Sequence, residues 1–182
     1  MERKDYKLEI VYALLKGPNH VRSLAHEFGG THMMASRKLR ELLDANVVDY
    51  RQEGKNKVFS LKKTLEARTF VFVAEHYRLL QTLNLYPQLR KSIQAIQTNP
   101  EINLALLFGS YAKGLVNQES DIDLFVETTK EDLKGELELL DSRLSVKIGR
   151  YDPSNLLIKE IEKNHVVIKG VERFYEKNQF FG

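Results

Sequence analysis

The chain of 182 residues contains no cysteine and no tryptophan, and only four prolines. Without cysteine it has neither disulfides nor thiolate chemistry, which suits a cytoplasmic protein. No apolar run approaches the length needed to span a bilayer, so we expect no membrane partner. The chain does contain 29% charged and 42% hydrophobic residues, enough for the buried cores of one or two domains.

The most informative segment begins with a short apolar run that ends at a glycine. Leu104–Phe108 is followed by Gly109-Ser110, which is typical of a buried strand that leads into a tight turn. Backbone amides after such a turn, together with the Ser110 hydroxyl, can donate hydrogen bonds to phosphate oxygens. A short helix that starts there would add its dipole, and Lys113 could reach the same charge. This segment predicts a phosphate-binding turn.

After ten residues that follow Ser110, the chain reads Asp121-Ile122-Asp123. Apolar residues alternate with the acids and continue to Val126, so the segment predicts a strand with both carboxylates on one face. Two adjacent carboxylates repel each other unless a cation lies between them, and Mg²⁺ accepts one or two carboxylates plus substrate phosphates. The two motifs together therefore predict a site for a triphosphate and Mg²⁺.

With glycine-serine, ten residues and Asp-x-Asp, the chain resembles the DNA polymerase β-like nucleotidyltransferases, in particular the minimal MNT-type domains. The resemblance covers roughly Pro87 to the C-terminus. It implies a mixed sheet flanked by helices, and transfer of a nucleoside monophosphate from an NTP, by preference ATP, to an acceptor hydroxyl. It also implies an antitoxin-like protein that modifies a hydroxyl of a partner protein. The implied nucleotide-binding residues are Gly109, Ser110, Lys113 and Ser120, and the implied catalytic, Mg²⁺-binding residues are Asp121 and Asp123.

The resemblance further implies a third carboxylate on a following strand, and here the chain departs from the family pattern. The predicted strand Leu144–Ile148 places Ser145 and Lys147 where the acid is expected, and a lysine repels a metal ion. Two interpretations stay open: the catalytic acid has moved, or the domain binds nucleotide and metal weakly and turns over slowly or not at all. The acids near this strand are Glu127, Asp141 and Asp152.

The first third of the chain predicts three short helices. The periodicity of Asp5–Lys16 indicates the first helix, which Gly17-Pro18 ends. Asn19 is expected to cap the second helix, Val21–Phe28, and Thr31 the third. The third helix buries Ala35, Leu39, Leu42 and Leu43 and leaves Ser36, Arg37 and Arg40 outward.

A hairpin is predicted after the third helix. Asn46 fits the helix end, because asparagine tolerates the left-handed backbone conformation. Val47–Arg51 and Lys57–Leu61 alternate as strands around a loop, Gln52–Asn56.

Three helices and a basic hairpin over residues 5–63 resemble the winged helix-turn-helix domains of prokaryotic repressors. The resemblance implies DNA contacts from the third helix and the wing. Residues 1–63 contain thirteen Lys and Arg against eight Asp and Glu. So few excess charges give a monomer little affinity, so we expect a homodimer to bind DNA. The alternative is a protein-interaction or dimerisation unit. The predicted DNA-binding residues are Thr31, Ser36, Arg37, Lys38, Arg40, Lys55 and Lys57.

The fold class predicted for the whole chain is α+β, with a winged helix-turn-helix domain at residues 1–63 and a nucleotidyltransferase domain at residues 87–182. A connecting helix at residues 64–86 has an apolar stripe that is expected to pack on the winged domain or to supply a dimer seam. The stripe consists of Phe70, Val73, Tyr77 and Leu80, with Val71, Ala74 and Leu83 beside it. The predicted function is Mg²⁺-dependent nucleotidyl transfer coupled to DNA binding. The alternative is a DNA-binding regulator whose degenerate transferase domain senses nucleotide or dimerises. A third alternative is an adaptor that docks a partner through the connecting helix.

Overall fold

A computed structural model describes residues 4–182 of the chain. Positions 1–3 of the predicted winged domain lie outside the described residues. The chain divides into two compact units, one extending through Tyr77 and including Phe181, the other comprising Arg78–Phe180 and Gly182. The division falls within a long helix, and the predicted domain limits at residues 63 and 86 stay a prediction. Helices and strands occur in both units, which confirms the α+β class.

The first unit contains three helices and a three-stranded antiparallel sheet. The strands lie in the order β1-β3-β2, so the short first strand pairs with the second arm of the hairpin. This succession of helices followed by a hairpin is the winged helix-turn-helix topology that the sequence predicted. The elements are α1 Tyr6–Leu15, β1 Asn19–His20, α2 Val21–Glu27, α3 His32–Asp44, β2 Val48–Glu53 and β3 Asn56–Leu61.

Side chains and backbone conformations fix the helix ends of this unit. The Asp5 carboxylate accepts hydrogen bonds from two backbone N–H groups of the first turn of α1. Thr31 caps α3, as predicted, by accepting a hydrogen bond of 3.2 Å from the N–H of Met34. Asn46 has a φ of 60°, so the N–H of Asn46 reaches the carbonyl of Leu43 at 3.0 Å and ends α3.

The prediction that Asn19 caps α2 is wrong. Asn19 lies in β1 opposite Phe59, and the residue that precedes α2 is His20, whose side chain makes no capping hydrogen bond. The Asn19 side chain instead bonds its neighbour's N–H at 2.8 Å and the Glu27 carboxylate at 2.8 Å. Asn19 therefore contributes its backbone to the strand pairing and its side chain to a hydrogen bond with the last residue of α2.

The predicted five-residue wing loop is also wrong, because the strands extend further toward the tip. Glu53 pairs with Asn56, which leaves only Gly54-Lys55 to join β2 and β3. Gly54 has a φ of 58°, as the first position of a two-residue hairpin turn requires. The wing is thus a tight hairpin with Lys55 at its tip.

The long helix α4, Leu65–Leu85, corrects the predicted apolar stripe. Val73 and Leu80 of that stripe are 48% and 56% exposed. Two apolar stripes run side by side along this helix, and the residue spacing alone does not distinguish which of them is buried. The residues that are buried are Ala67, Val71, Ala74, Glu75, Leu79 and Thr82.

The second unit is built on a four-stranded mixed sheet in the order β6-β5-β4-β7, which confirms the predicted mixed sheet flanked by helices. β5 and β6 are parallel, whereas β4 is antiparallel to both β5 and β7. A short 3-10 turn at Pro87–Leu89 precedes the unit's first complete helix. The elements are α5 Arg90–Thr98, β4 Leu104–Phe108, α6 Gly109–Lys113, β5 Ile122–Glu127, α7 Leu133–Glu138, β6 Leu144–Ile148, α8 Leu156–Lys163, β7 Val166–Lys169 and α9 Val171–Lys177.

A buried carboxylate, Glu127, anchors α9 to the end of β5. It is 6% exposed and accepts hydrogen bonds from Arg173 Nε at 2.6 Å, Lys177 Nζ at 2.8 Å and the N–H of Tyr151 at 3.1 Å. Burial raises the pKa of Glu127, but the hydrogen bonds from Lys177, Arg173 and Tyr151 outweigh it and hold the pKa below its usual value. The ionised form is therefore the one that stabilises the fold.

We expect Glu127→Gln to lower the free energy of unfolding by about 2 kcal/mol at neutral pH, because two cations lose their buried partner. Because the folded-state pKa is lowered, this stabilisation is present above the ordinary glutamate pKa and disappears as the pH falls through the folded-state value. The melting temperatures of the wild type and the variant should therefore differ at pH 7 and become equal in acid. Glu101→Gln, which removes an exposed pair with Lys130, is the matched control and should change little. Equal effects of both substitutions would contradict the assignment.

Candidate functional site

The turn after β4 and the Asp-x-Asp segment lie against each other. β4 and β5 are antiparallel with Phe108 opposite Asp123, so Gly109 follows directly beside that carboxylate. Gly109 has a φ of 68°, and a Cβ added there would lie 2.1 Å from Oδ2 of Asp123. Only glycine therefore fits, both for its backbone conformation and for the space. The structure brings these two parts of the predicted motif together.

The two carboxylates of the motif are electrostatically coupled. Asp123 is half-buried at the start of β5, and Asp121 is exposed one residue before the strand. Burial raises the pKa of Asp123, the negative charge of Asp121 raises it further, and the nearby Lys147 opposes them. The pair therefore carries negative charge that a cation would stabilise. Two carboxylates beside an open glycine turn fit a Mg²⁺ ion that completes its oxygen ligands from water and phosphate.

The third carboxylate is missing from the fold as well as from the sequence. β6 runs parallel to β5 with Ser145 opposite Asp123 and Lys147 opposite Phe125, as the alternation predicted. Among residues 4–182, no three of His, Cys, Asp and Glu come together in a group that could hold a metal ion. The carboxylate side of the site is thus limited to Asp121 and Asp123.

The three acids that could replace the missing carboxylate are engaged elsewhere. Glu127 lies at the far end of β5 with Arg173 and Lys177, as described above. Asp141 accepts hydrogen bonds of 3.1 and 2.8 Å from the guanidinium of Arg143. Asp152 accepts a hydrogen bond of 2.8 Å from the N–H of Ser154. The interpretation that the acid has moved to one of them receives no support from these contacts.

The other predicted nucleotide-binding residues surround the turn. Ser110 is half-buried in α6, directly after Gly109. Lys113 ends α6 and places its ammonium 3.8 Å from the Glu160 carboxylate. The Ser120 hydroxyl accepts a hydrogen bond from the N–H of Asn117 and donates one to its side chain, at 2.9 and 3.0 Å. Ser120 therefore shapes the loop before Asp121, and the nucleotide contacts of all three residues stay predictions.

A basic face on the first unit is formed by α3 and the wing. Arg37 and Arg40 are exposed on α3, as predicted, and Ser36 is half-buried beside them. Lys38 differs, because its ammonium bonds both carboxylate oxygens of Glu41 at 2.8 Å and its side chain is only 22% exposed. The Lys38 side chain points toward Glu41 because an acid three positions further along a helix is its neighbour on the helix surface. Ion pairs at this spacing stabilise the helix. Its predicted DNA contact would require breaking this pair.

The wing contributes two further cations to this face. Lys55 is exposed at the hairpin tip, and Lys57 is exposed on β3 with its ammonium 3.9 Å from the centre of the Tyr50 ring. A groove of about 600 Å³ opens between the wing and the two helices of the turn motif. It is lined by three of the predicted residues, Ser36, Lys55 and Lys57, and by seven others: His20, Val21, Arg22, Ser23, His32, Gln52 and Asn56.

Arg22, His20 and His32 are candidate nucleic-acid contacts that sequence reasoning missed. His20 and Arg22 reach the groove because β1 pairs with β3 and draws the start of α2 beside the wing, and His32 reaches it as the first residue of α3. A strand of two residues leaves no periodicity to detect. The positive charge of Arg22 in the first turn of the second helix was the one signal in the sequence.

The comparison with family models identifies the second unit. Residues 90–179 match the model of the family described as Polymerase beta, Nucleotidyltransferase. This part of the chain therefore is a nucleotidyltransferase-family domain, and the prediction made from glycine-serine and Asp-x-Asp is confirmed. No curated protein matches the chain significantly.

Solved structures similar to the chain include three DNA-binding proteins or repressors. A homodimeric winged helix-turn-helix DNA-binding domain from Mycobacterium bovis, a possible ArsR-family transcriptional regulator, is 27% identical with a TM-score of 0.35, over 38% of this chain and 65% of that fragment. The adhesin competence repressor of Streptococcus pyogenes is 16% identical with a TM-score of 0.41, over 50% of this chain and 67% of that one. A DNA-binding protein from Sulfolobus solfataricus is 14% identical with a TM-score of 0.38, over 53% of this chain and 100% of that one. Because these scores are low, the winged helix-turn-helix assignment depends on the strand order and helix succession of the unit itself.

In the part of the chain that the structure describes, no helix is both long and apolar enough to cross a bilayer.

Proposed function

We propose that the second unit transfers a nucleoside monophosphate from an NTP, ATP by preference, to an acceptor hydroxyl with Mg²⁺, so that the acceptor oxygen bonds to the α-phosphorus and pyrophosphate leaves. The observation that carries this proposal is the contact between the Gly109 turn and the Asp123 carboxylate, at the edge where Asp121 adds a second carboxylate. A phosphate-binding turn in contact with a cation site is what a metal-bound triphosphate requires. The family match supports the reaction class.

Each residue of the site has a separate task in this proposal. The amides of the Gly109 turn and the Ser110 hydroxyl donate hydrogen bonds to phosphate oxygens and orient the triphosphate. Asp121 and Asp123 hold the divalent cation, which when bound neutralises charge on the phosphates. Lys113 lies one turn after Ser110 and adds positive charge on the nucleotide side.

A transfer assay tests the proposal. The full chain is incubated with α-labelled ATP, Mg²⁺ and lysate of the source cell, and proteins and nucleic acids are separated afterwards. We expect label on an acceptor in the presence of Mg²⁺ and none with a chelator. A labelled protein would identify the acceptor class that the resemblance implies, a hydroxyl of a partner protein. Unlabelled acceptors, together with undetectable ATP binding, would contradict the proposal.

We further propose that the first unit binds DNA as a homodimer in the cytoplasm. Lys55 and Lys57 on the wing line the groove together with Ser36 of α3, and Arg37 and Arg40 are exposed on that same helix, which supports this part of the proposal. The excess of five positive charges is small for a monomer, whereas two copies double the phosphate contacts.

A second candidate function is favoured by one observation, the lysine in place of the third carboxylate. In this alternative the chain is a DNA-binding regulator whose degenerate transferase domain binds nucleotide without transferring it. ATP binding with no labelled acceptor in the assay above would favour it. The two functions share the cation site and differ only in turnover.

A further inference from the structure

Lys147 is a charged residue of the site that the proposed chemistry leaves unused. It lies on β6 two positions after Ser145, which is paired with Asp123 on the neighbouring strand. Residues two apart on a strand share a face, so Lys147 and Asp123 are on the same face of the sheet. From ordinary strand spacing and rise their Cβ atoms are about 8 Å apart. The flexible four-carbon stem of lysine spans most of that distance.

The charge of Lys147 acts on the carboxylates. Burial and the charge of Asp121 raise the pKa of Asp123, and Lys147 lowers it, which places the ammonium within electrostatic range. Lys147 is exposed, so its ammonium can move toward a ligand without leaving a buried site. Together with its position on the same face of the sheet, this gives Lys147 the charge and the reach to contact a nucleotide bound beside Asp123.

Counting formal charges shows what this lysine changes. Two carboxylates and one ammonium together carry one negative charge, so a single divalent cation brings the site to one positive charge. A site with three carboxylates and two divalent cations reaches the same value. A second divalent cation would raise the net charge of this site to three positive charges. The described residues also offer too few oxygen ligands to hold that second cation. The described residues thus favour one cation.

We propose that this domain binds its nucleotide with one divalent cation, and that the ammonium of Lys147 supplies the second positive charge of the site. This inference rests on the proposed function, because it assumes that a triphosphate binds beside Asp121 and Asp123. In this arrangement Lys147 is a nucleotide-contacting residue, and its exchange for an acid creates the ligand set for a second cation.

The number of bound Mn²⁺ ions tests the inference. The full chain is titrated with Mn²⁺ in the presence of a non-hydrolysable ATP analogue, and bound Mn²⁺ is counted by electron paramagnetic resonance. We expect one Mn²⁺ per chain in the wild type and two in Lys147→Asp, with the spectral broadening that two neighbouring Mn²⁺ ions cause. Lys147→Met should keep one Mn²⁺ but bind the analogue roughly tenfold more weakly, as expected when a charged hydrogen-bond donor is lost.

Lys130→Met is the matched control, because it removes the same charge beyond the opposite end of β5, where Lys130 pairs with Glu101. It should bind Mn²⁺ and the analogue as the wild type does. Two Mn²⁺ ions in the wild type would overturn the inference while leaving the proposed function intact, and so would equal weakening by Lys147→Met and Lys130→Met. A wild type that binds neither Mn²⁺ nor the analogue would overturn both.

Discussion

Asp121→Asn combined with Asp123→Asn should reduce Mg²⁺-dependent ATP binding at least roughly a hundredfold, because neutral amides neither attract the cation nor replace its carboxylate ligands. Calorimetric titration with Mg²⁺ and with a chelator measures the effect. We expect the wild type to bind ATP with Mg²⁺ and to lose most of its affinity in the chelator, and the double variant to bind weakly in both. Equal ATP binding by the wild type with and without metal would contradict the cation site.

The control for this experiment is a variant that loses the same number of negative charges at positions away from the site. Glu131→Gln with Asp132→Asn neutralises two exposed acids of the same unit, in the turn before α7. This variant should bind ATP and Mg²⁺ as the wild type does. If it loses affinity equally, the effect is one of net charge and the assignment of Asp121 and Asp123 is wrong.

Loss of binding should not be accompanied by loss of fold. The pKa of Asp123 is raised, so its ionised form destabilises the folded state, and this cost increases as the pH rises from the ordinary aspartate range through the raised folded-state value. At neutral pH, Asp123→Asn removes that cost and should keep or slightly raise the melting temperature. In strong acid, where the carboxyl is protonated in both states, the difference should vanish. A marked fall of the melting temperature at pH 7 would contradict this account.

The second large effect concerns nucleic acid. Arg37→Ala with Arg40→Ala should weaken binding to a mixed-sequence DNA duplex about a hundredfold near physiological salt, since two exposed phosphate or base contacts are lost from each copy. Fluorescence anisotropy at several salt concentrations measures the affinity and its salt dependence. The wild type should lose affinity steeply as salt rises, and the variant should show a smaller slope. A wild-type affinity that does not change with salt would contradict DNA binding.

A matched variant separates this surface from general charge. Lys4→Ala with Lys16→Ala removes two exposed cations at the ends of α1 instead of on α3 or the wing. It should retain most of the affinity and most of the salt slope. Sedimentation of wild type with and without DNA should show two copies in the complex, and a single copy bound with full affinity would contradict the proposed homodimer.

The sequence predicted the strand and turn at Gly109, the strand that carries Asp123, and the winged domain, because all three depend on local signals. Gly109 and the two aspartates have a fixed spacing, and the position of Ser145 and Lys147 follows from simple alternation along one strand. Thr31 and Asn46 predicted the ends of α3 because capping involves only the neighbouring backbone. Predictions of this kind need no knowledge of distant contacts.

Other features depended on contacts that spacing does not encode. The pairing of β1 with β3 was missed because two residues have no periodicity, and with it the approach of Arg22 to the wing. On α4 the structure buries Val71 and Ala74 and leaves Val73 and Leu80 of the main predicted stripe exposed, a choice that spacing could not make because both stripes are apolar. Lys38 was predicted to contact DNA, but its ammonium pairs with Glu41 three positions along the same helix, a local contact that the prediction overlooked. In the first two cases a tertiary contact decided between options of similar local quality.

The short strand β1 has a mechanical consequence for how the first unit would read DNA. Because Asn19 and His20 are paired with Phe59 and Val58, the hairpin cannot swing without pulling the start of α2 with it. The start of α2 and the β2–β3 hairpin would therefore approach a duplex as one rigid body, with a fixed distance between them. A DNA groove that is wider or narrower than this distance would have to deform before the unit could bind it. The sequence-dependent stiffness of the DNA would then contribute to which sites are bound.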